Sequence, residues 1–108
     1  MWYLVFTRNV RGKEAELKDS VAAHRQWLDD QHRAGRLLFS GPTTDGGGGA
    51  YVMLAKSLDE ARQLAVSDPH HANGSRRMEI FEWRAHRAFR LVGPAIEDIE
   101  RMARGKSS

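Results

Sequence analysis

The chain has 108 residues, 41% of them hydrophobic and 29% charged, a balance typical of one folded domain that excludes general disorder and a second domain. It contains no cysteine, which excludes disulfides, thiolate nucleophiles and cysteine-ligated metals and fits a reducing, cytoplasmic location. The net charge is +3, but the basic residues are dispersed among acidic ones, so we expect no nucleic-acid partner. No apolar run approaches the ~20 residues of a membrane span, and the N-terminus lacks a basic leader, so we expect neither membrane insertion nor secretion.

The N-terminal part of the chain predicts a strand, a long helix and a second strand. Residues 2–7 are aromatic and β-branched, which favours a strand. Residues 13–34 lack proline and place apolar side chains at helical spacing, and Gly35 stands where a helix needs a left-handed C-cap. Residues 36–40 then form a short strand that ends before a Gly-Pro pair.

The middle of the chain predicts a hairpin followed by a second helix. The glycine run 46–49 lies in the connection, and residues 50–55 form the third strand. Ser57 followed by Glu60 is a capping box that opens the helix. Pro69 ends it, because a residue before proline is pushed out of the helical region.

The remaining elements complete a recognisable plan. Residues 78–84 form a fourth strand, and Pro94 leads into a last amphipathic helix. The order βαββαβ predicts a ferredoxin-like α+β fold, a four-stranded antiparallel sheet with two helices on one face. We expect this domain to span 1–89 and a C-terminal helical extension to span 90–108.

The strands are apolar on both faces. Residues 2–6, 37–39 and 51–54 show no alternation of apolar and polar side chains, although a half-exposed antiparallel strand alternates. Two helices cover one face of the sheet, and a single C-terminal helix is small for the other. We therefore expect a homodimer that buries the sheet face opposite the helices.

Two residues stand out as candidates for chemistry. His24 lies within the apolar stripe of the first helix, and histidine titrates near neutral pH, so it is a candidate general base. Asp68 stands at the end of the second helix, where it can orient a histidine and stabilise its protonated form. The alternatives are a buried, hydrogen-bonded structural histidine and ordinary Asp-Pro turn chemistry.

The other motifs favour no metal and no nucleotide. His70 and His71 are adjacent, so their side chains point apart in most backbones. His24, His32 and His70 have no recognised zinc spacing, and we expect no metal site. The glycine run 46–49 is followed by no helix and no Gly-Lys-Ser/Thr ending, so it is not a phosphate-binding loop.

Several short motifs, in this order and at these separations, match a known family. They are Ala23-His24, Gly35-Arg36-Leu37, Ser40-Gly41-Pro42, Asp68-Pro69 and Gly74. Over residues 2–89 the chain resembles the YciI-like (YCII-related) family of the dimeric α+β barrel superfamily. The resemblance implies a ferredoxin-like subunit that dimerises through its sheets, with His24 and Asp68 as a catalytic pair in a cleft.

Three departures from the family pattern concern the substrate more than the chemistry. His70 stands where the family usually has an aromatic residue, Glu82 where proline is common, and Arg25 where an apolar residue is usual. Relatives include dehydrochlorinases of chlorinated hydroxyquinones, and the superfamily includes muconolactone isomerases and cofactor-free oxygenases.

The leading hypothesis is a cofactor-independent lyase or isomerase that moves a proton on a small cyclic or aromatic molecule by elimination, dehydrochlorination or isomerisation. His24 would transfer the proton and Asp68 would hold its ring. Ser40, Arg25 and His70 are the predicted substrate-binding residues. Two other classes stay open: a non-catalytic ligand-binding or accessory module, and a purely structural dimer.

Overall fold

The computed structural model of the chain describes residues 1–88, 91–92 and 94–105. Its elements are β1 Trp2–Asn9, α1 Glu14–Asp19, α2 Val21–Arg33, β2 Leu37–Pro42, β3 Gly48–Leu54, α3 Leu58–Val66, α4 Pro69–Ala72, β4 Arg76–Trp83, β5 Arg87–Ala88, β6 Leu91–Val92 and α5 Pro94–Gly105. Four strands form one antiparallel sheet in the order β2-β3-β1-β4, and β5 pairs with β6. This order is that of the ferredoxin-like plan, so the predicted α+β fold is confirmed.

The prediction of one long first helix is wrong in one respect, because the structure has two helices in this region. Ser20 separates α1 from α2, and its hydroxyl lies 3.0 Å from the carbonyl oxygen of Glu16 and 3.2 Å from that of Leu17. Serine side chains that bond back to the preceding turn bend helices. The break directs the Ser20 side chain inward, where it is buried.

The end of the second helix also differs from the prediction. The helix α3 ends at Val66, and Asp68 is the N-cap of a further short helix, α4, which the sequence did not predict. The Asp68 carboxylate accepts a hydrogen bond of 3.0 Å from the His70 amide. Pro69 occupies the first helical position, where its missing N–H costs nothing. Asp68 therefore lies at a helix N-terminus, where the dipole favours a negative charge.

The core lies between the sheet and the helices α2 and α3. Its buried members are Tyr3, Val5, Trp27, Leu37, Tyr51, Met53, Ala55, Ala61 and Ala65. Alternation along each strand directs these sheet residues to one face. Both helices thus cover the same face, as predicted.

The opposite face of the sheet is covered only in part. The helix α5 packs Ala103 and Ile99 against Trp2 and Leu54 at one end of that face. The large aromatic side chains that stay exposed on that face are Phe6 at 45%, Phe39 at 68%, Phe81 at 48% and Trp83 at 40%. An apolar sheet face therefore remains open to solvent in a single chain.

The C-terminal part of the chain follows the prediction where it is described. The helix α5 begins at Pro94, as expected. The predicted domain boundary between residues 89 and 90 lies outside the described residues. No helix within the described ranges is long and apolar enough to cross a membrane.

Candidate active site

The structure brings His24 and Asp68 into contact. The helix α2 presents His24 on its sheet-facing side, and the connection from α3 to α4 carries Asp68. The His24 Nδ1 atom lies 2.7 Å from Asp68 Oδ1. Both residues are buried, with 9% of His24 and 1% of Asp68 exposed. The pair therefore interacts largely out of solvent.

Asp68 is held as a carboxylate by three donors. The Tyr51 hydroxyl donates to Oδ2, while the ring of His24 and the amide of His70 bond to Oδ1. Burial raises the pKa of the Asp68 carboxyl, but the hydrogen bonds from His24, Tyr51 and the His70 backbone outweigh burial, and the pKa is lowered. An ionised carboxylate only accepts hydrogen bonds, so His24 carries its proton on Nδ1. A neutral His24 then has its lone pair on Nε2.

Tyr51 is a member of the cluster that the sequence did not identify. It lies on β3, on the side of the sheet that faces the helices. Burial and the bond to the Asp68 carboxylate raise the pKa of the Tyr51 hydroxyl, against an opposing effect of Arg76. Tyr51 therefore stays protonated and remains a donor to Asp68.

His70 lies against the ring of His24. The two ring centroids are 4.1 Å apart and the ring planes differ by 26°. The His70 Nδ1 atom is 2.5 Å from the Ser20 hydroxyl, and the Ser75 hydroxyl donates to the His70 carbonyl over 2.8 Å. Burial lowers the pKa of His70 to about 4, and the charge of Arg76, together with that of His24 whenever His24 is protonated, acts in the same direction. His70 is therefore a neutral ring at physiological pH.

Trp27 flanks His24 one helical turn further along α2. Its ring is nearly parallel to that of His24, with centroids 6.4 Å apart. The Trp27 indole N–H donates to Ser67 over 2.9 Å, and its ring lies 5.6 Å from that of Tyr51. These contacts fix the indole, so His24 is bordered by rings that do not carry charge at neutral pH.

The His24 ring keeps limited access to solvent. Its side chain is 11% exposed, and Nε2 forms no hydrogen bond with any described residue. Two cavities of about 570 and 580 Å³ lie elsewhere, one against Trp83 and Glu97 and one against Lys56. Neither of these cavities is lined by His24.

Two of the predicted substrate-binding residues lie outside this cluster. Ser40 Oγ is 2.7 Å from the Nε2 atom of His32, and Arg25 is exposed on α2. Their roles toward a substrate stay predictions. Among the residues that the structure describes, no group of three or more His, Asp or Glu side chains is arranged to hold a metal ion.

Comparisons with known proteins found a family match and a curated relative. The model of the YCII-related domain matches residues 1–84. The uncharacterized protein YjpA of Bacillus subtilis (strain 168) is 42% identical over 67 residues, which cover 62% of this chain and 79% of YjpA. The matched residues include β1 to β4, α1 to α4 and both His24 and Asp68.

Solved structures resemble the chain as well. The 5-chloro-2-hydroxyhydroquinone dehydrochlorinase TftG from Burkholderia phenoliruptrix AC1100, in complex with 2,5-dihydroxybenzoquinone, is 25% identical with a TM-score of 0.67. The likeness covers 80% of this chain and 95% of TftG. Protein Atu4242 from Agrobacterium tumefaciens is 16% identical over 76% of this chain and 92% of its own, and its TM-score of 0.40 is too low to bear on the fold.

Proposed function

The chain belongs to the family of YCII-related domains, and on that premise we propose that it is a cofactor-independent enzyme that moves a proton on a small cyclic or aromatic molecule. The observation that carries the proposal is the 2.7 Å contact between His24 Nδ1 and the buried Asp68 carboxylate. In this arrangement Asp68 holds the ring, and Nε2 keeps the lone pair that a general base needs.

His24 Nε2 takes a proton from the substrate. In an isomerisation the proton leaves a ring carbon, the electron pair of that C–H bond forms a carbon–carbon double bond, and the imidazolium gives the proton to another carbon of the same molecule. In a dehydrochlorination of a chlorinated hydroquinone, the substrate reacts as its keto tautomer, in which one ring carbon carries both hydrogen and chlorine. His24 then takes the proton of a hydroxyl group conjugated with that carbon, the O–H electron pair forms a C=O bond, and the C–Cl bond breaks, so that chloride leaves with its electron pair and a quinone remains. The imidazolium returns its proton to water. Asp68 stabilises the imidazolium, and His70, being neutral, adds no competing charge.

The likeness to TftG supports this reaction class. TftG is a dehydrochlorinase of a chlorinated hydroxyhydroquinone and was solved with a quinone. The alternative, a non-catalytic ligand-binding module, uses the same residues and differs only in turnover. The quinone and the chlorinated substrate named for TftG are therefore suitable probes for this chain.

We expect the chain to release chloride from 5-chloro-2-hydroxyhydroquinone, and His24→Ala to lower kcat by about 10²–10⁴-fold, the usual contribution of a positioned acid or base. A chloride assay measures this effect. His86→Ala is the control, because His86 is exposed and distant from Asp68 along the chain, and its kcat should equal that of the wild type. Equal turnover by His24→Ala and the wild type would rule out the role of His24. Quinone binding without chloride release would favour the non-catalytic module.

We also propose that the chain forms a homodimer through the sheet face opposite α2 and α3. The exposed aromatic side chains of Phe6, Phe39 and Phe81 support this, because monomers seldom leave such a surface open to water. The helix α5 covers only the end of the face near Trp2. A second copy would complete the burial.

Sedimentation at micromolar concentration is expected to give twice the chain mass of 12.2 kDa. Phe6→Asp should shift the protein toward monomer, because it places a charge within the buried interface. Val66→Asp is the control, since Val66 on α3 is exposed to the same 45% but lies outside that face. A wild-type monomer under these conditions would contradict the dimer.

A further inference from the structure

Arg76 lies beside the His24–Asp68 pair although it comes from the far edge of the sheet. It is the first residue of β4, is paired with Asn9 of β1, and is half-buried. Its Nε–H donates to the Asn9 side-chain oxygen over 3.0 Å, which fixes the guanidinium. The serine directly before Arg76 donates its hydroxyl to the His70 carbonyl over 2.8 Å, and the charge of Arg76 contributes to lowering the pKa of His70. Arg76 therefore starts its strand next to the residue that stacks on His24.

Among the residues that the structure describes, no carboxylate forms an ion pair with Arg76. Ion pairs with aspartates within the described residues involve exposed arginines such as Arg8, Arg33 and Arg101, and none involves Arg76. Asp68, the carboxylate of the His24 cluster, already accepts three hydrogen bonds. A partly buried charge is costly to leave unpaired. Such a residue at a candidate site indicates that a ligand supplies the missing negative charge.

We propose that Arg76 is the anion-binding residue of this site and that the ligand carries an anionic oxygen, as a phenolate, enolate or carboxylate. The inference rests on the proposed function, whose substrate class it narrows. Guanidinium binds such oxygens through paired N–H donors in a fixed geometry. Proton removal by a neutral His24 adds one negative charge to the substrate. Arg76 stabilises that charge where it develops, which is the electrostatic role that lowers such barriers.

Two arginines are candidates for binding the anionic ligand, and they differ in burial. Arg25 follows His24 directly and was predicted to bind substrate, but it is exposed on α2. Arg76 is half-buried and held in place by Asn9. Alternation along β4 places Arg76 on the same face as Met78 and Ile80, which pack against the core under the helices.

The test is an NMR titration of the full chain at low salt with formate and with its neutral analogue formamide. The reporters are the Arg76 Nε–H, kept visible by its bond to Asn9, and the Trp27 indole N–H. Formate is expected to cause saturable shifts at millimolar concentration and formamide none. Arg76→Gln, followed at Trp27, should weaken formate binding at least about tenfold. Arg77→Gln, the same change at the next residue, should leave it unchanged.

Three results would overturn the proposal: no saturable formate shift up to about 50 mM, equal shifts with formamide, or a loss of binding in Arg25→Gln that Arg76→Gln does not cause. Arg76→Lys is a second variant, in case the glutamine variant misfolds. Lysine keeps the positive charge but lacks the paired N–H donors of the guanidinium, so we expect formate binding between that of the wild type and that of Arg76→Gln. Turnover without formate binding would overturn this inference alone. Formate binding without turnover would count against the proposed function alone.

Discussion

Replacing Asp68 by alanine is expected to lower the free energy of unfolding by about 1–3 kcal/mol for each buried donor that loses its acceptor. The variant leaves the His24 ring, the Tyr51 hydroxyl and the His70 amide without their common acceptor. Water cannot easily replace that acceptor, because Asp68 is only 1% exposed. Urea unfolding at neutral pH and fixed protein concentration measures the change.

Asp45 supplies a matched control. Its carboxylate also accepts from three groups, the Thr43 hydroxyl at 2.6 Å, the Gly47 amide at 2.8 Å and the Arg8 guanidinium at 3.2 and 3.5 Å. Its side chain, however, is 61% exposed. Water replaces these bonds, so Asp45→Ala should lower the free energy of unfolding much less than Asp68→Ala. If Asp68→Ala costs no more than Asp45→Ala, the buried network does not stabilise the fold.

Asp68→Asn separates stability from catalysis. The amide keeps the shape of the carboxylate, and we expect a smaller loss of stability than with alanine. It lacks the charge that stabilises the imidazolium of His24, so kcat should still fall by about 10²–10⁴-fold. If Asp68→Asn folds well but has a low kcat, the charge of Asp68 is needed for the reaction and not only for stability.

The fold was predictable because its determinants are local. Helical spacing, the Ser57 cap and the turn residues set each element, and every strand of the main sheet lies within two residues of its predicted bounds. The Ser57 side chain accepts from the Glu60 amide over 3.1 Å, as the capping motif predicts. The break at Ser20 was missed, because serine is compatible with either a continuous or a bent helix until its side-chain partners are known.

The site was predictable only in its central pair. His24 interrupts an apolar stripe and Asp68 precedes a proline, and both features are visible locally. Tyr51 and Ser20 were missed, because their partners lie 17 and 50 residues away and strand alternation predicts only that Tyr51 is buried. Arg76 was not singled out, because the basic residues are dispersed along the sequence. The alternation that places it with Met78 and Ile80 was available in the sequence and could have identified it.

Acid is expected to destabilise the chain through His70, between the ordinary histidine pKa of 6.5 and its folded pKa of about 4. In this range the unfolded chain binds a proton at this residue and the folded chain does not. Stability contributed by neutral His70 is therefore complete above pH 6.5 and is lost as the pH falls toward 4, by up to about 1.4 kcal/mol per unit. The pKa of Asp68 is lowered in the folded chain, so the stability that its carboxylate contributes is lost only at lower pH, below the ordinary pKa of 3.8.

His70→Phe tests this directly, because phenylalanine keeps a ring against His24 and cannot be protonated. The groups that face His70 are His24 from α2, Arg76 from β4 and Asp68 two residues before it, and all three remain in the variant. Urea midpoints between pH 6.5 and 4 should therefore fall less steeply for His70→Phe than for the wild type. The slope of His86→Ala should match the wild type, since that histidine is exposed. Equal slopes for His70→Phe and the wild type would mean that the folded chain accepts a proton at His70. A positive charge would then lie against the His24 ring, and His24 would lose the neutral neighbour on which its proposed role depends.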